Sequence, residues 1–405
     1  MTQDELDGWA SDFVAFHERF AHLFSRREVR HQAVKYLRGL MTPAQRKNCW
    51  QIAEAVGDAI PDRSQRLLYR TQWDADGARD ALQEFIIEAF GDANAIGVVD
   101  ESGFIKEGTH SVGVQRQYSG TAGKVENSQV GTFLTYASSR GHVFLDRRLY
   151  LPKTWCADSK RRTRAHVPPE IPFQTKPDQA IVMLEHAWSK GVPMRWVAGD
   201  EVYGDSTALR DAVSAHNKLY VLAVPSNTLI WLVRPALADA QREKDNRPRS
   251  QPPVTEGIEL ATTVSAAVAA WPETRWQRLV VADGAKGPRT YDWACQRVVE
   301  SRDRLPGPDA WLLARRSLTD ATDIAYYLSN ASVESPLLTL AQVAATRYTV
   351  EQCLEEAKGE TGLDEYEVRY WHSWYRHITL SMMAHAWLAS IRYKAMVQKG
   401  GLSPT

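Results

Sequence analysis

Cysteine is scarce: the 405-residue chain has four, Cys49, Cys156, Cys295 and Cys353. They are widely scattered, with no CxxC or Cys/His spacing, which excludes a zinc finger or ribbon and leaves buried thiols as the expectation. Long apolar runs are also missing. None approaches the roughly eighteen residues a membrane-spanning helix needs, so no membrane partner is expected. The chain does not start like a secretion signal, because Asp4, Glu5, Asp7 and Asp12 precede any Lys or Arg. A cytoplasmic protein is therefore expected. Net charge is absent too, with 49 Lys and Arg against 49 Asp and Glu. A whole-chain balance hides local excess, however. From Arg26 to Arg70 there are ten Lys and Arg against four Asp and Glu, which makes this stretch the best electrostatic candidate for meeting phosphates. A solvated helical surface would give the same count. The pair His372 and His377 lies five residues apart and off a single helical face, so packing or hydrogen bonding is expected of it.

What is present is a hydrophobic content of 44%, enough for buried cores in two or three domains. Residues 6–90 read as helices, with apolar residues at helical spacing in Ala33, Tyr36, Leu37 and Leu40 and again in Ala81, Leu82, Phe85, Ile86 and Ala89. Met41-Thr42-Pro43 predicts a helix start with Thr42 as cap, and Ile60-Pro61-Asp62 another break. Such a module suits a helix-turn-helix that brings Ser64 to Tyr69, with Arg63, Arg66 and Arg70, towards DNA.

From residue 95 the period changes. Ala95 to Val99 is a short β-branched run that predicts a buried strand ending on Asp100. Ser128 to Tyr136 and His142 to Tyr150 predict two strands of an antiparallel meander, joined at Ser139-Arg140-Gly141. A helix from Pro177 to Gly191 precedes a strand, Arg195 to Gly199, that ends on Asp200. A helix at Ser206 to His216 and a strand at Leu219 to Val224 follow. Residues 241–257 are rich in proline and charge and read as an exposed loop. Strands at Leu279 to Ala282 and Tyr291 to Val299 make the surrounding insert β-rich. Strands resume at Trp311 to Ala314 and Ile324 to Leu328, before a helical stretch from Leu337 to Glu360.

Two aspartates at strand ends and a glutamate on a helix form a set of hard oxygen donors. Phosphodiester cleavage and strand transfer use such a set to hold two divalent ions about 4 Å apart. Asp100, Asp200 and Glu351 fit that need. Each aspartate also suits a turn or cap, and Glu101, Glu201 and Glu355 compete. The aspartates are preferred because they end the apolar runs, and a one-residue step turns a side chain to the other face. Arg347, Glu351 and Lys358, at offsets of four and eleven, share one helical face. That face is either an ion-pair ladder or a carboxylate ligand flanked by phosphate contacts. Lys106, Gln115, Arg116, Gln117, Tyr118 and Lys124 follow Asp100 in a segment too polar for a core, suited to a solvated loop or a DNA groove. Trp231, Trp271, Trp276 and Trp293 suit packing or stacking on an unpaired base. The aromatic stretch from Tyr370 to His377, with Arg369 and Arg376, reads as a packed helix start or a DNA-facing patch, packing being preferred.

Several of these strings resemble a family. Val99 to Gly120 (VDESGFIKEGTHSVGVQRQYSG), with the following Thr121 to Asn127, resembles the first-aspartate region of DDE transposases of the insertion-sequence 701 group. Gly199-Asp200-Glu201-Val202-Tyr203-Gly204 resembles the second-aspartate motif. Asp283 to Arg289 and Trp311 to Arg316 resemble later blocks. Arg347, Glu351 and Lys358 match the signature of the broader insertion-sequence 4 superfamily, except that Ala344 stands where that signature has tyrosine. The resemblance runs from about Phe20 to Tyr393.

It implies an α/β fold: an RNase H-like catalytic core interrupted by a β-rich insertion, with an α-helical N-terminal domain. The implied boundaries are 1–92 for the helical DNA-binding domain, 93–226 and 311–395 for the core, 227–310 for the insertion and 396–405 for a flexible tail. It implies cleavage at transposon ends and attack of the freed 3′ hydroxyl on target DNA, with Asp100, Asp200 and Glu351 as catalytic metal ligands. The cofactor would be Mg2+, two ions, with Mn2+ able to substitute. The partner would be double-stranded DNA, both terminal inverted repeats and target, bound by a homodimer. Arg347, Lys358, Arg116, Tyr118, Lys124, Arg63, Arg66 and Arg70 would contact it. A domesticated, non-cleaving DNA-binding protein and an RNase H-like nuclease without strand transfer are the alternatives.

Overall fold

The computed structural model describes residues 3–120, 123–235, 261–282, 287–398 and 400. The loop expected at 241–257, residues 283–286 of a later motif, and the tail from 401 lie outside them. The protein is a mixed α/β structure in two compact units, one of Met1–Met194 with Tyr348–Thr405, the other Arg195–Arg347.

The first unit begins with α1 (Gln3–Glu18), α2 (Arg27–Leu40), α3 (Cys49–Ala55), α4 (Asp62–Tyr69) and α5 (Ala75–Phe90). The apolar stripe of α2 is buried as its spacing predicts, through Ala33, Tyr36, Leu37 and Leu40. The helix start predicted at Thr42-Pro43 does not form. The Thr42 hydroxyl instead donates to the Gly39 carbonyl at 2.7 Å, and α3 starts later, at Cys49. Its cap is Asn48, whose side chain accepts from the N–H groups of Trp50 and Gln51 at 3.1 and 3.0 Å. Asn is the stronger capping residue.

Next come β1 (Ile96–Ile105), β2 (Gln115–Ser119), β3 (Lys124–Ser138) and β4 (Gly141–Leu149), all antiparallel. The long β3 carries β1 along one edge and β2 and β4 on successive stretches of the other. Asp100 does not end its strand, as expected from sequence. It sits mid-strand opposite Phe133, and pairing with β3 continues to Ile105. The apolar run stops at Val99, but the strand continues and buries Ser102, Gly103 and Phe104. The helices α6 (Lys153–Ala157), α7 (Ser159–Arg164) and α8 (Lys176–Ser189) follow. A capping box formed by Thr175 and Asp178 starts α8.

In the second unit, β5 (Trp196–Gly199), α9 (Glu201–Gly204), α10 (Thr207–Ala215) and β6 (Leu219–Val224) come first. Then follow β7 (Leu229–Trp231), β8 (Thr262–Thr263), α11 (Val264–Ala269), β9 (Gln277–Ala282), β10 (Arg289–Arg302), β11 (Leu305–Arg316), β12 (Ile324–Ser329) and α12 (Leu337–Ala345). Their sheet runs β5-β6-β12-β11-β10-β7-β8, with β9 also beside β10. Only β5 and β6 pair in parallel there among the described residues. Trp231 and Trp293 are buried in this unit, which takes them out of the set available for stacking on a base.

The stretch expected as one helix from Leu337 is two: α12, capped by Thr346, and α13 (Arg347–Thr361). The last helix, α14 (Trp371–Gln398), is the spine of the first unit and packs against α2, α4, α5 and β4. It is buried on nearly all sides from Ser373 to Trp387, so it shows no amphipathic stripe. Among its buried residues is His377. Its Nε2 lies 3.0 Å from the Gly362 carbonyl and its Nδ1 2.9 Å from the Tyr36 hydroxyl. A carbonyl only accepts, so Nε2 carries the proton and Nδ1 accepts from Tyr36.

Burial holds the His377 imidazole down at about 4, and His17 likewise at about 4. The unfolded chain binds these protons near pH 6.5, so stability is full above that value and is lost as pH falls towards 4. Each group costs about 1.4 kcal/mol per pH unit across that window. The urea midpoint of the wild type should therefore fall between pH 7 and 5, and His377→Gln should flatten the fall. A midpoint constant over that range contradicts the assignment.

Candidate active site

The two faces of β1 separate the carboxylates of Asp100 and Glu101. Glu101 shares a face with Thr132, its partner on β3. Thr132 donates to Gln179 of α8 at 2.8 Å, and the Glu101 carboxylate is paired with Lys176 at the start of the same helix. Glu101 is thus held in a structural ion pair under α8. Asp100 lies on the other face, with Phe104 and Phe133, whose rings pack edge to face at 6.3 Å. It is half-buried, and its Oδ1 accepts from the N–H of Glu101 at 2.7 Å.

Helix α13 carries two differently occupied flanks. On one, Glu356 meets His142 of β4 at 3.2 Å, His385 of α14 at 3.4 Å and Arg392 at 2.9 Å. The hydrogen bonds from His142 and His385 hold its carboxyl well below the usual range. On the other flank, the Lys358 ammonium sits 5.9 Å from the centre of the Phe104 ring of β1. Burial pushes its pKa down. At 100° per residue, Glu351 and Lys358 lie about 20° apart around the axis while Glu356 lies about 140° from Glu351. The flank carrying Glu351 is thus the one turned towards the strand that carries Asp100, and towards the same face. Glu351 and Glu355 are both exposed, so Glu355 stays in competition.

Asp200 follows β5 directly, as expected. It caps α9, its Oδ1 accepting from the Val202 N–H at 2.9 Å. Glu201 is exposed, whereas Tyr203 and Gly204 are buried. A β-carbon at Gly204 would lie 1.7 Å from the Ala223 carbonyl oxygen of β6, so α9 lies flush on that strand only because this residue is glycine. The carbonyl of Gly204 accepts from the Arg210 guanidinium, which also pairs with buried Glu300 at 3.1 Å.

The proposed DNA contacts fall into groups. Arg63 and Arg66 are exposed on α4, with Arg70 just past its end. Arg66 pairs with Asp62 at 3.0 Å. Offsets of three and four place the three arginines on one face, away from buried Ser64, Leu67 and Leu68. Arg116, Tyr118 and Lys124 are exposed on the pair formed by β2 and the start of β3, Tyr118 being 66% exposed. Lys124 lies 3.1 Å from Glu126. Lys106 does not join that polar surface. Its ammonium donates to the Tyr366 carbonyl at 2.9 Å and sits 3.6 Å from the centre of the Tyr366 ring, and burial holds it down at about 8. Sequence reasoning passed over the run Lys160-Arg161-Arg162-Thr163-Arg164. It forms the short α7, with Lys160 and Arg164 exposed and Arg161 stacked 3.9 Å over Trp155. The density of basic residues was the available signal.

Asp100, Asp200 and Glu351 are oxygen donors, open to solvent in whole or part, and so of the right chemistry for a hard divalent cation. Among the described residues no three His, Cys, Asp or Glu side chains are gathered tightly enough to hold a metal ion. His372 and His377 are engaged in hydrogen bonding, the former with the Tyr69 carbonyl at 2.9 Å. No helix among the described residues is long and apolar enough to cross a membrane.

Comparison with known proteins places these residues in context. A probable transposase for insertion sequence element IS701 from Microchaete diplosiphon is 28% identical over 207 residues, 50% of this chain and 51% of that protein. The chain thus matches about half the length of that curated relative. A piggyBac transposase in a synaptic complex with hairpin DNA is similar over 96% of this chain and 74% of that one, at 13% identity and a TM-score of 0.37. The NurA nuclease from Sulfolobus solfataricus is similar over 73% and 94%, at 8% identity and a TM-score of 0.26. Neither likeness is close enough to define the fold. The family model for DDE superfamily endonucleases matches residues 19–288, more than half of the chain and the part that carries both Asp100 and Asp200. The chain belongs to the DDE superfamily endonucleases.

Proposed function

We propose that this protein is a DNA transposase of the insertion-sequence 701 group, which cleaves transposon ends and joins the freed 3′ hydroxyl to target DNA. Asp100, Asp200 and Glu351 are the proposed catalytic set, holding two Mg2+ ions for which Mn2+ substitutes. When bound, such ions supply charge stabilisation at the scissile phosphate and lower the pKa of the attacking hydroxyl. The chain's part is to fix the donors: Asp100 on a strand paired along its length, Asp200 at a helix cap, Glu351 on α13.

The observation that carries this reading is the orientation of α13. Its Lys358 flank lies over the Phe104 ring, on the face of β1 that also bears Asp100. The pairing of Glu101 with Lys176 and of Glu356 with His142 supports the choice among neighbouring acids. The family match ends before Glu351, so that residue rests on the helix and on its spacing from Arg347 and Lys358. The finer fold belongs to the same proposal: an RNase H-like core at 93–226 and 311–395, a β-rich insertion at 227–310 and a helical DNA-binding domain at 1–92. In it, Arg63, Arg66, Arg70, Arg116, Tyr118, Lys124, Arg347 and Lys358 meet phosphates. A dimer on DNA, in the cytoplasm, completes it, since two ends must be held together.

The test is incubation of the protein with Mg2+, a pair of transposon-end duplexes taken from DNA flanking the gene, and a supercoiled target plasmid. Joined end-plasmid products are expected. Cleaved but unjoined ends would identify a nuclease without strand transfer, and bound but uncut ends a non-cleaving DNA-binding protein.

A further inference from the structure

A cavity of about 240 Å³ opens where α3 and α4 meet the segment leading into α14. This is below the range of drug-sized ligand sites, about 300–1,000 Å³, and suits a single planar ring system. Its lining is aromatic. Trp50 and Tyr69 line it while remaining 55% and 43% exposed, and Tyr366 and Tyr370 contribute to the same wall. Large rings left this open at a polar surface provide stacking faces.

The polar groups of the cavity are of the kind that reads a base edge. Ser373 lines it and is fully buried, yet its hydroxyl has no hydrogen-bond partner. A buried polar group left unsatisfied costs stability. Cys49, also in the wall, is pushed up to about 12 by burial and so stays a neutral thiol. The exposed carboxylate of Glu367 belongs to the lining too. It repels a phosphate but accepts from the amino or ring N–H of a base. Cationic charge lies beside the cavity. Arg63, Arg66 and Arg70 are exposed on or next to the helix that carries Tyr69, and Arg369 is exposed at the cavity itself. The backbone of a DNA strand is thereby attracted to α4 and to the rim of the pocket beside it.

We propose that this cavity is a base-binding pocket, which takes one unstacked nucleobase from the DNA held along α4 and stacks it on Trp50 and Tyr69. The inference rests on the reading of the chain as a DNA-processing enzyme, and deepens it by assigning a residue-level site for distorted DNA.

The experiment is a fluorescence anisotropy titration of the full chain with two labelled duplexes of one sequence, one fully paired and one with a single unpaired thymine. Stacking of one base on an aromatic side chain predicts that the wild type binds the second duplex about tenfold more tightly. Trp50→Ala and Tyr69→Ala should each bring that ratio close to one. Both side chains are about half exposed, so the variants should keep the wild-type circular dichroism melt. Equal affinities in the wild type, or a preference that survives both substitutions, overturn the pocket. Failure to bind either duplex overturns the DNA-processing reading itself, so the two failures are told apart.

Discussion

Replacing Asp100 or Asp200 with Asn, or Glu351 with Gln, is expected to lower metal-dependent strand cleavage by at least about 10³-fold in each case, because on the proposed assignment a lost carboxylate removes about 4 kcal/mol of charge stabilisation. The isosteric changes are chosen for the folded state. Asn retains a side-chain oxygen, so Asn at position 200 still accepts from the Val202 N–H and caps α9. Asn at position 100 still accepts from the Glu101 N–H. Stability and binding to end duplexes should therefore persist while chemistry stops. The neighbouring acids give the contrast. Glu101→Gln weakens the pair with Lys176, and Glu356→Gln weakens the contacts to His142, His385 and Arg392. Both should reduce the melting temperature rather than cleavage measured well below it. Cleavage that persists in Glu351→Gln and is lost in Glu355→Gln would move the third ligand by one helical turn.

The second large effect is steric. Gly204→Ala places a β-carbon 1.7 Å from the Ala223 carbonyl oxygen, and neither partner can yield without moving α9 off β6. Overpacking of side chains costs roughly 1–3 kcal/mol; a clash between two backbones should exceed about 3 kcal/mol. A calorimetric scan should show a melting temperature lower by roughly 6–12 °C. Cleavage should fall with it, since Asp200 caps the helix that is displaced. A variant that melts within about 2 °C of the wild type would show that α9 does not need this close approach. The glycine of the second-aspartate motif therefore has a packing reason, independent of chemistry.

Local signals in the sequence located most strands of both units, because apolar β-branched runs between turns need no knowledge of their partners. Leu219 to Val224 and Ile324 to Leu328 are such runs. What the sequence hid depends on distant pairing. Asp100 read as a strand end because the apolar run stops there, yet β3 holds the next five residues in register. The strand β2 was hidden for the same reason, its polar residues being ordered by the start of β3. Lys106 read as part of a solvated loop or a DNA groove, whereas the Tyr366 ring, 260 residues away, covers it. The choice between Asp100 and Glu101 rests, in the sequence, on the end of the apolar run at Val99 and on strand alternation. Lys176, at the start of α8, pairs with Glu101, and no local pattern announces that pair. The buried spine α14 has no stripe to read, since apolar, hydroxyl and imidazole groups cover every side.

The central claim is that Asp100, Asp200 and Glu351 hold one pair of divalent ions. Its most direct measurement is the anomalous diffraction of Mn2+ in crystals of the protein bound to a transposon-end duplex. The account predicts anomalous peaks within about 2.0–2.4 Å of carboxylate oxygens from all three residues. Peaks held by Glu101, Glu201 or Glu355 in place of any of the three, or the absence of manganese from all of them, would contradict it.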